Sequence, residues 1–185
     1  MEKLTPGKAA DVISVSWGFA EATLFFFVPD IWITLMALSG FRKGLRSCLL
    51  ALAGALVGGC LTYLLGISYE KEILTIFDYL PSISVETMNW VSQEMKEQGV
   101  WAVFVGPGSG TPYKIYAATA ASANMSLAAF LAVSVPARLL RFLGACLAAR
   151  CLALVLKKVE LKRQIRVMMV FWVVIYVIYF SVKPN

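Results

Sequence analysis

Five apolar regions alternate with short polar segments along the chain. Val12 to Gly40 is apolar, broken by Glu21 and by Pro29-Asp30. A compact basic loop, Phe41-Arg-Lys-Gly-Leu-Arg46, follows. Ser47 to Gly66 is an uninterrupted apolar run of about the 20 residues that cross a bilayer as a helix. Its Gly54, Gly58 and Gly59 permit close approach of neighbouring helices. Ile67 to Gly99 is different in kind. Glu70, Glu72, Asp78, Glu86, Glu94 and Glu97 stand there against Lys71 and Lys96. Apolar residues recur at helical spacing, first Ile73, Leu74, Phe77 and Leu80, then Met88, Val91 and Met95. That pattern predicts two amphipathic helices at the membrane surface, separated near Pro81. Val100 to Asn124 is apolar but broken by Gly106-Pro-Gly-Ser-Gly-Thr-Pro112. Ser126 to Leu156 reads as a long helix, Lys157 to Arg166 is basic, and Val167 to Val182 reads as a final spanning helix.

Topology follows from parity. If all five regions crossed the bilayer with Lys157–Arg166 inside, the acidic segment would lie inside and the Arg42–Arg46 loop outside, against the positive-inside rule. If the two broken regions instead dip in and return, Arg42, Lys43, Arg46 and the 157–166 cluster all lie inside, and 67–99 and Asn185 lie outside. Arm lengths agree, because neither arm beside a break exceeds about 16 residues, or roughly 24 Å, against a core of roughly 30 Å. The expected fold is therefore an all-α integral membrane protein in one membrane domain. Two inverted units, each a re-entrant hairpin plus a transmembrane helix, occupy 12–66 and 100–156. The amphipathic extracytoplasmic segment 67–99 separates them, and the last transmembrane helix is 167–182. Inverted repeats with broken helices are a transporter architecture, with the substrate site where the breaks meet.

Composition sharpens this. The 185 residues are 59% hydrophobic and 15% charged, and mean hydropathy is +0.75. A soluble domain carries about 25% charged residues, so a soluble enzyme or nucleic-acid-binding module is excluded. The net charge of +6 belongs to loops that set topology. With no His, neither a His-ligated metal site nor a His proton relay is expected. Cys48, Cys60, Cys146 and Cys151 lie in apolar stretches without a C-x-x-C pair and read as small buried hydrophobes. No cleaved signal peptide is expected, since Glu21 and Asp30 interrupt the first apolar region.

Glu21, Asp30, Lys114, Arg138 and Arg141 are ionisable residues in apolar surroundings. Each costs about 2.5–3.5 kcal/mol at a helix centre on insertion scales and usually faces a cavity or a partner. Arg138 and Arg141 share a helix face at three-residue spacing, and guanidinium groups suit phosphate. The alternative is that they form purely structural ion pairs with Glu21 and Asp30. Gly106–Gly110 lets backbone approach a ligand, and Pro112 opens a half-helix whose free N–H groups favour an anion. Converging with Lys114, these features predict an anionic head-group site, with Glu21 and Asp30 placed for proton exchange.

The same residues carry a family resemblance. Glu21-Ala-Thr-Leu-Phe-Phe-Phe-Val-Pro29-Asp30 resembles the first re-entrant signature of the DedA/VTT (SNARE-associated Golgi protein) family. Gly110-Thr-Pro-Tyr-Lys-Ile-Tyr116 is similar to the corresponding motif of its short YqaA-like branch, and Pro136-Ala-Arg-Leu-Leu-Arg-Phe142 resembles the family's Gly-Arg-x-x-Arg-Phe. Two departures stand out: Ala137 replaces the glycine, and Pro29-Asp30 shortens the usual Pro-Gly/Ser-Glu. The resemblance covers about Ser14 to Leu156 and adds Thr111 and Tyr113 to the head-group candidates. It implies a transporter of undecaprenyl phosphate or phospholipids, a flippase or scramblase, in a bacterial plasma membrane. Protons and a second copy of the chain are further candidate partners, and nucleic acid and cofactors are not expected. A proton-coupled carrier of a small ion and a non-transporting assembly factor are the alternatives. Enzymatic activity is not expected, because no nucleophile-and-base pair or metal cluster is visible in the sequence.

Overall fold

The computed structural model describes residues 7–81 and 83–182. The positions expected for Asn185 and the residues preceding Gly7 lie outside the described residues. Among those described, the chain is helical without strands: α1 (Lys8–Thr23), α2 (Asp30–Ser39), α3 (Phe41–Asp78), α4 (Val85–Gln98), α5 (Val100–Val105), α6 (Tyr113–Thr119), α7 (Leu127–Val155) and α8 (Leu161–Val182). Three helices are long and apolar enough to cross a membrane, within Phe41–Asp78, Leu127–Val155 and Leu161–Ser181. The protein is an integral membrane protein of the all-α class.

Each broken region is a helical hairpin. α1 stops at Thr23 and α2 begins at Asp30, and between them Pro29 disfavours helical backbone at Val28. Asp11 near the start of α1 pairs with Arg46 at 2.6 Å, and α2 runs directly into α3 through Gly40. The hairpin thus begins and ends at one end of the molecule with its tip inside. α1 lies against α3 at backbone-contact range. A Cβ on Gly54 would collide with the Val15 carbonyl oxygen, and one on Gly58 would sit 2.7 Å from the Phe19 carbonyl. The small residues that pattern reading singled out are what let these helices meet. The second hairpin is α5, a 3-10 turn (Gly106–Ser109) and α6. Ser122, just beyond α6, bonds Glu70 at 3.0 Å, and Tyr116 donates to Glu94 at 2.8 Å, which ties this hairpin to the acidic end.

Two apolar clusters divide the interior. At the acidic end Tyr63, Phe77, Val91, Met95, Tyr116 and Phe130 pack together. At the basic end Ile33, Cys48, Ala51, Phe142, Cys146 and Met168 do so, with the Arg42–Arg46 and 157–166 segments beside them. The basic stretches therefore share one end of the molecule.

Three local expectations are corrected. The basic loop 41–46 is the first part of α3, because nothing in it breaks a helix once Gly40 has made the turn. The first amphipathic stretch is no separate helix but the end of α3, past a kink at Tyr69 (φ −133°, ψ 32°). Its Phe77, like Met88, Val91 and Met95 of α4, turns inward onto the protein's own core, so burial against α6 takes the place expected of lipid. Of the cysteines, Cys48 and Cys146 are buried, Cys60 is half-buried, and Cys151 is exposed on the apolar surface of α7.

Candidate functional site

The two hairpin tips meet at the middle of α7. This helix has 29 residues and is about 43 Å long, and it continues through Pro136. Arg138 and Arg141, one turn apart, reach one arm of the first hairpin each. Arg138 is 1% exposed and pairs with Glu21 at the end of α1 through both guanidinium NH2 groups. Its plane lies between two rings, with the guanidinium carbon 4.5 Å from the Tyr113 centroid and 5.0 Å from that of Phe142. Arg138 Nε is buried without a hydrogen-bond partner. Tyr113 is itself fixed: its hydroxyl donates to Ser134 at 2.9 Å, and its ring stacks on Phe130. Gly59 makes room for it, since a Cβ there would lie 2.5 Å from the tyrosine oxygen. Arg141 donates to Asp30 at 2.7 Å and reaches the Pro107 carbonyl in the second break at 3.4 Å.

Broken helices leave backbone groups that a membrane interior tolerates only if protein satisfies them. The first break is satisfied from three directions. Lys114 donates to the Phe25 carbonyl at 2.8 Å, Trp17 donates to the Phe27 carbonyl at 2.9 Å, and the Val28 N–H donates to the Tyr176 hydroxyl at 2.9 Å. In the second break Ser109 donates to the Gly106 carbonyl, and Gly110 takes φ +93°, a conformation that favours glycine. Among the described residues no carboxylate lies within ion-pair range of Lys114, although it is 2% exposed.

Between the tips, α7 and α8 is a cavity of about 380 Å³. Glu21, Asp30, Gly110, Thr111, Pro112, Lys114 and Arg141 all line it. Arg138 and Tyr113 do not. The expectation that both arginines face the cavity is corrected: Arg138 sits behind Glu21, held by aromatic faces, and Arg141 is the guanidinium on the cavity wall. The half-helix after Pro112 has seven residues, so its dipole adds little and the charge comes from side chains. Sequence reasoning missed the opposite wall, built by Trp172, Ile175, Tyr176, Tyr179 and Phe180 of α8. The signal was there in the four-residue spacing of Trp172, Tyr176 and Phe180, which aligns them on one helix face.

Long apolar helices around two broken hairpins, with paired charges where the breaks meet, define a multi-pass helical membrane protein with an internal polar site. A model of the VTT domain matches residues 28–150, more than half of the chain, and the protein belongs to that family. The chain is also 26% identical over 128 residues to an uncharacterised protein of Haemophilus influenzae, covering 68% of this chain and 64% of that one. It thus spans less than two thirds of that relative's length. No solved structure matches it. The helices α1 and α8, which supply Glu21 and the aromatic wall, lie outside the matched stretch.

Proposed function

We propose that the protein is a lipid transporter, moving a phospholipid or polyprenyl phosphate with an anionic head group across a bacterial plasma membrane without covalent chemistry. The observation that carries this reading is the charge balance around the cavity. Glu21 and Asp30 supply two negative charges, and Lys114, Arg138 and Arg141 supply three positive ones. Both carboxylates are matched by arginines, which leaves the Lys114 charge for a ligand. A buried ammonium with a backbone carbonyl but no carboxylate in ion-pair range is costly, and an anion brought to it recovers much of that cost. Arg141, with a carboxylate and a carbonyl as present partners, can turn its fork to a phosphate.

In this reading both hairpins re-enter the bilayer. The first returns to the cytoplasmic side, where the basic segments lie, and the second to the outer side, where α4 lies. That arrangement satisfies the positive-inside rule at every loop.

Purified protein reconstituted into phosphatidylcholine vesicles with labelled lipid phosphates tests the proposal. Wild type speeds exchange of the label between leaflets, whereas Lys114→Met and Arg141→Lys slow it about tenfold or more, the worth of one charge-assisted hydrogen bond. Exchange at the rate of empty vesicles, or variants as fast as wild type, would sink it.

A further inference from the structure

The cavity has two chemically different ends. Lys114 and Arg141 stand at one, and Phe25, Phe26, Trp172, Ile175, Tyr179 and Phe180 form the other. Phe25 (40% exposed) and Ile175 (39% exposed) line the cavity, and their chain neighbours Leu24 and Val174 are exposed apolar residues outside it. The ionic floor therefore communicates sideways with the belt that faces hydrocarbon, between the first break and α8.

Size makes that opening consequential. A volume of about 380 Å³ is at the small end of sites that bury a drug-sized ligand. It holds a phosphate head group and a few carbons but not a lipid chain, so any chain attached to a bound phosphate must leave the cavity. The polar ends of the molecule offer it no apolar route, and the opening past Phe25 and Ile175 does. The direction is also set. The lining of the cavity includes Pro81 and Ile83 at the acidic end and the C-terminal half of α8. Toward the basic end, Ile33, Phe142, Cys146 and Met168 fill the space between the helices.

Contacts across the opening are of the kind that part and re-form. Phe26 meets Phe180 edge-on at 6.0 Å, and Phe27 meets Tyr176 at 4.9 Å. Among the described residues, hydrogen bonds from Trp172 to the Thr34 hydroxyl and from the Val28 N–H to Tyr176 join α8 to the hairpin. Aromatic pairs are worth about 0.5–1.5 kcal/mol each beyond their burial, so no single lock holds the wall shut.

We infer that the gap between the Phe25–Phe26 segment and the aromatic face of α8 is a lateral portal and hydrocarbon-chain subsite. Through it the chain of a lipid phosphate lies in the leaflet at the acidic end while its phosphate rests on Lys114 and Arg141. The inference rests on the lipid-phosphate reading above and adds where the chain goes, which leaflet the site faces, and which helix contacts the chain.

A staple across the portal tests it in the full chain with Cys48, Cys60, Cys146 and Cys151 replaced by alanine. Phe26→Cys and Phe180→Cys are introduced together and compared oxidised and reduced. The probes are a lipid phosphate of long acyl chain and glycerol 3-phosphate, which has the head group alone. Oxidation is expected to weaken the lipid phosphate about tenfold, the worth of roughly two buried methylenes, with recovery on reduction and no change for glycerol 3-phosphate. Unchanged lipid-phosphate affinity in the oxidised protein overturns the portal. A lipid phosphate with a photoreactive group in mid-chain gives a second measurement on unstapled protein. Labelling at Phe26, Ile175 or Phe180 supports the portal, and labelling confined to other helices overturns it. The head-group reading fails separately, if glycerol 3-phosphate binds wild type no better than Arg141→Gln.

Discussion

Arg138 and Arg141 show how one turn of helix separates two jobs. Arg138 has its carboxylate in front and a ring on each face, so its charge is spent within the protein. Its loss would leave Glu21 charged and unpaired in a dry site, which costs about 3–5 kcal/mol in comparable buried pairs. Arg138→Met is therefore expected to lower the unfolding midpoint in detergent sharply, and the double variant Arg138→Met/Glu21→Gln to recover much of the loss. Equal instability of the single and double variants would show that stacking, not charge, holds the residue. Arg141 has a side chain 26% exposed on the cavity, so Arg141→Lys is expected to change ligand binding more than stability. Tyr176→Phe isolates a third residue. It leaves the Val28 N–H of the break without its acceptor, and a stability loss of about 1–3 kcal/mol is expected in the same unfolding measurement.

At the scale of elements, the first hairpin depends on how close α1 can come to α3. Gly54→Val would drive a side chain into the Val15 carbonyl, and neither backbone can yield without separating the helices. Loss of the monodisperse species in size-exclusion chromatography is the expected result. Gly144→Ala in α7 is the matching control, because a Cβ there meets nothing within 4 Å. It should raise helix stability by roughly 0.5–1 kcal/mol. The pattern of small residues in 47–66 was readable as an invitation to close packing, but which helix accepts it was not. α1 could be known as the partner only once Pro29 had folded the chain back on itself.

For the whole molecule, the testable quantity is sidedness. Single cysteines at Arg42 and Glu86, both exposed, report the two ends in a background free of native cysteines. With the basic end cytoplasmic, an impermeant thiol reagent added to intact cells is expected to modify Glu86→Cys and spare Arg42→Cys. The reverse pattern would invert the molecule in the membrane and move the portal to the cytoplasmic leaflet.

Membrane class, the two breaks, the distribution of basic and acidic segments and the five charges in apolar surroundings were all legible in the chain as written. Each depends on local quantities: apolar length against bilayer thickness, proline and glycine in a helical run, the cost of a charge among hydrocarbons. The pairing of those charges was not legible. Glu21 and Arg138 are 117 positions apart, Asp30 and Arg141 are 111 apart, and spacing in sequence cannot say which carboxylate meets which guanidinium. Nor could it show that Arg138 faces rings while Arg141 faces a cavity, since a one-turn offset separates the two only when Tyr113, Phe142 and α8 are in place. The aromatic wall reads in sequence as one more spanning helix. It became part of the site because tertiary packing brings α8 across the first break, where the Tyr176 hydroxyl takes the hydrogen bond that the broken backbone must place.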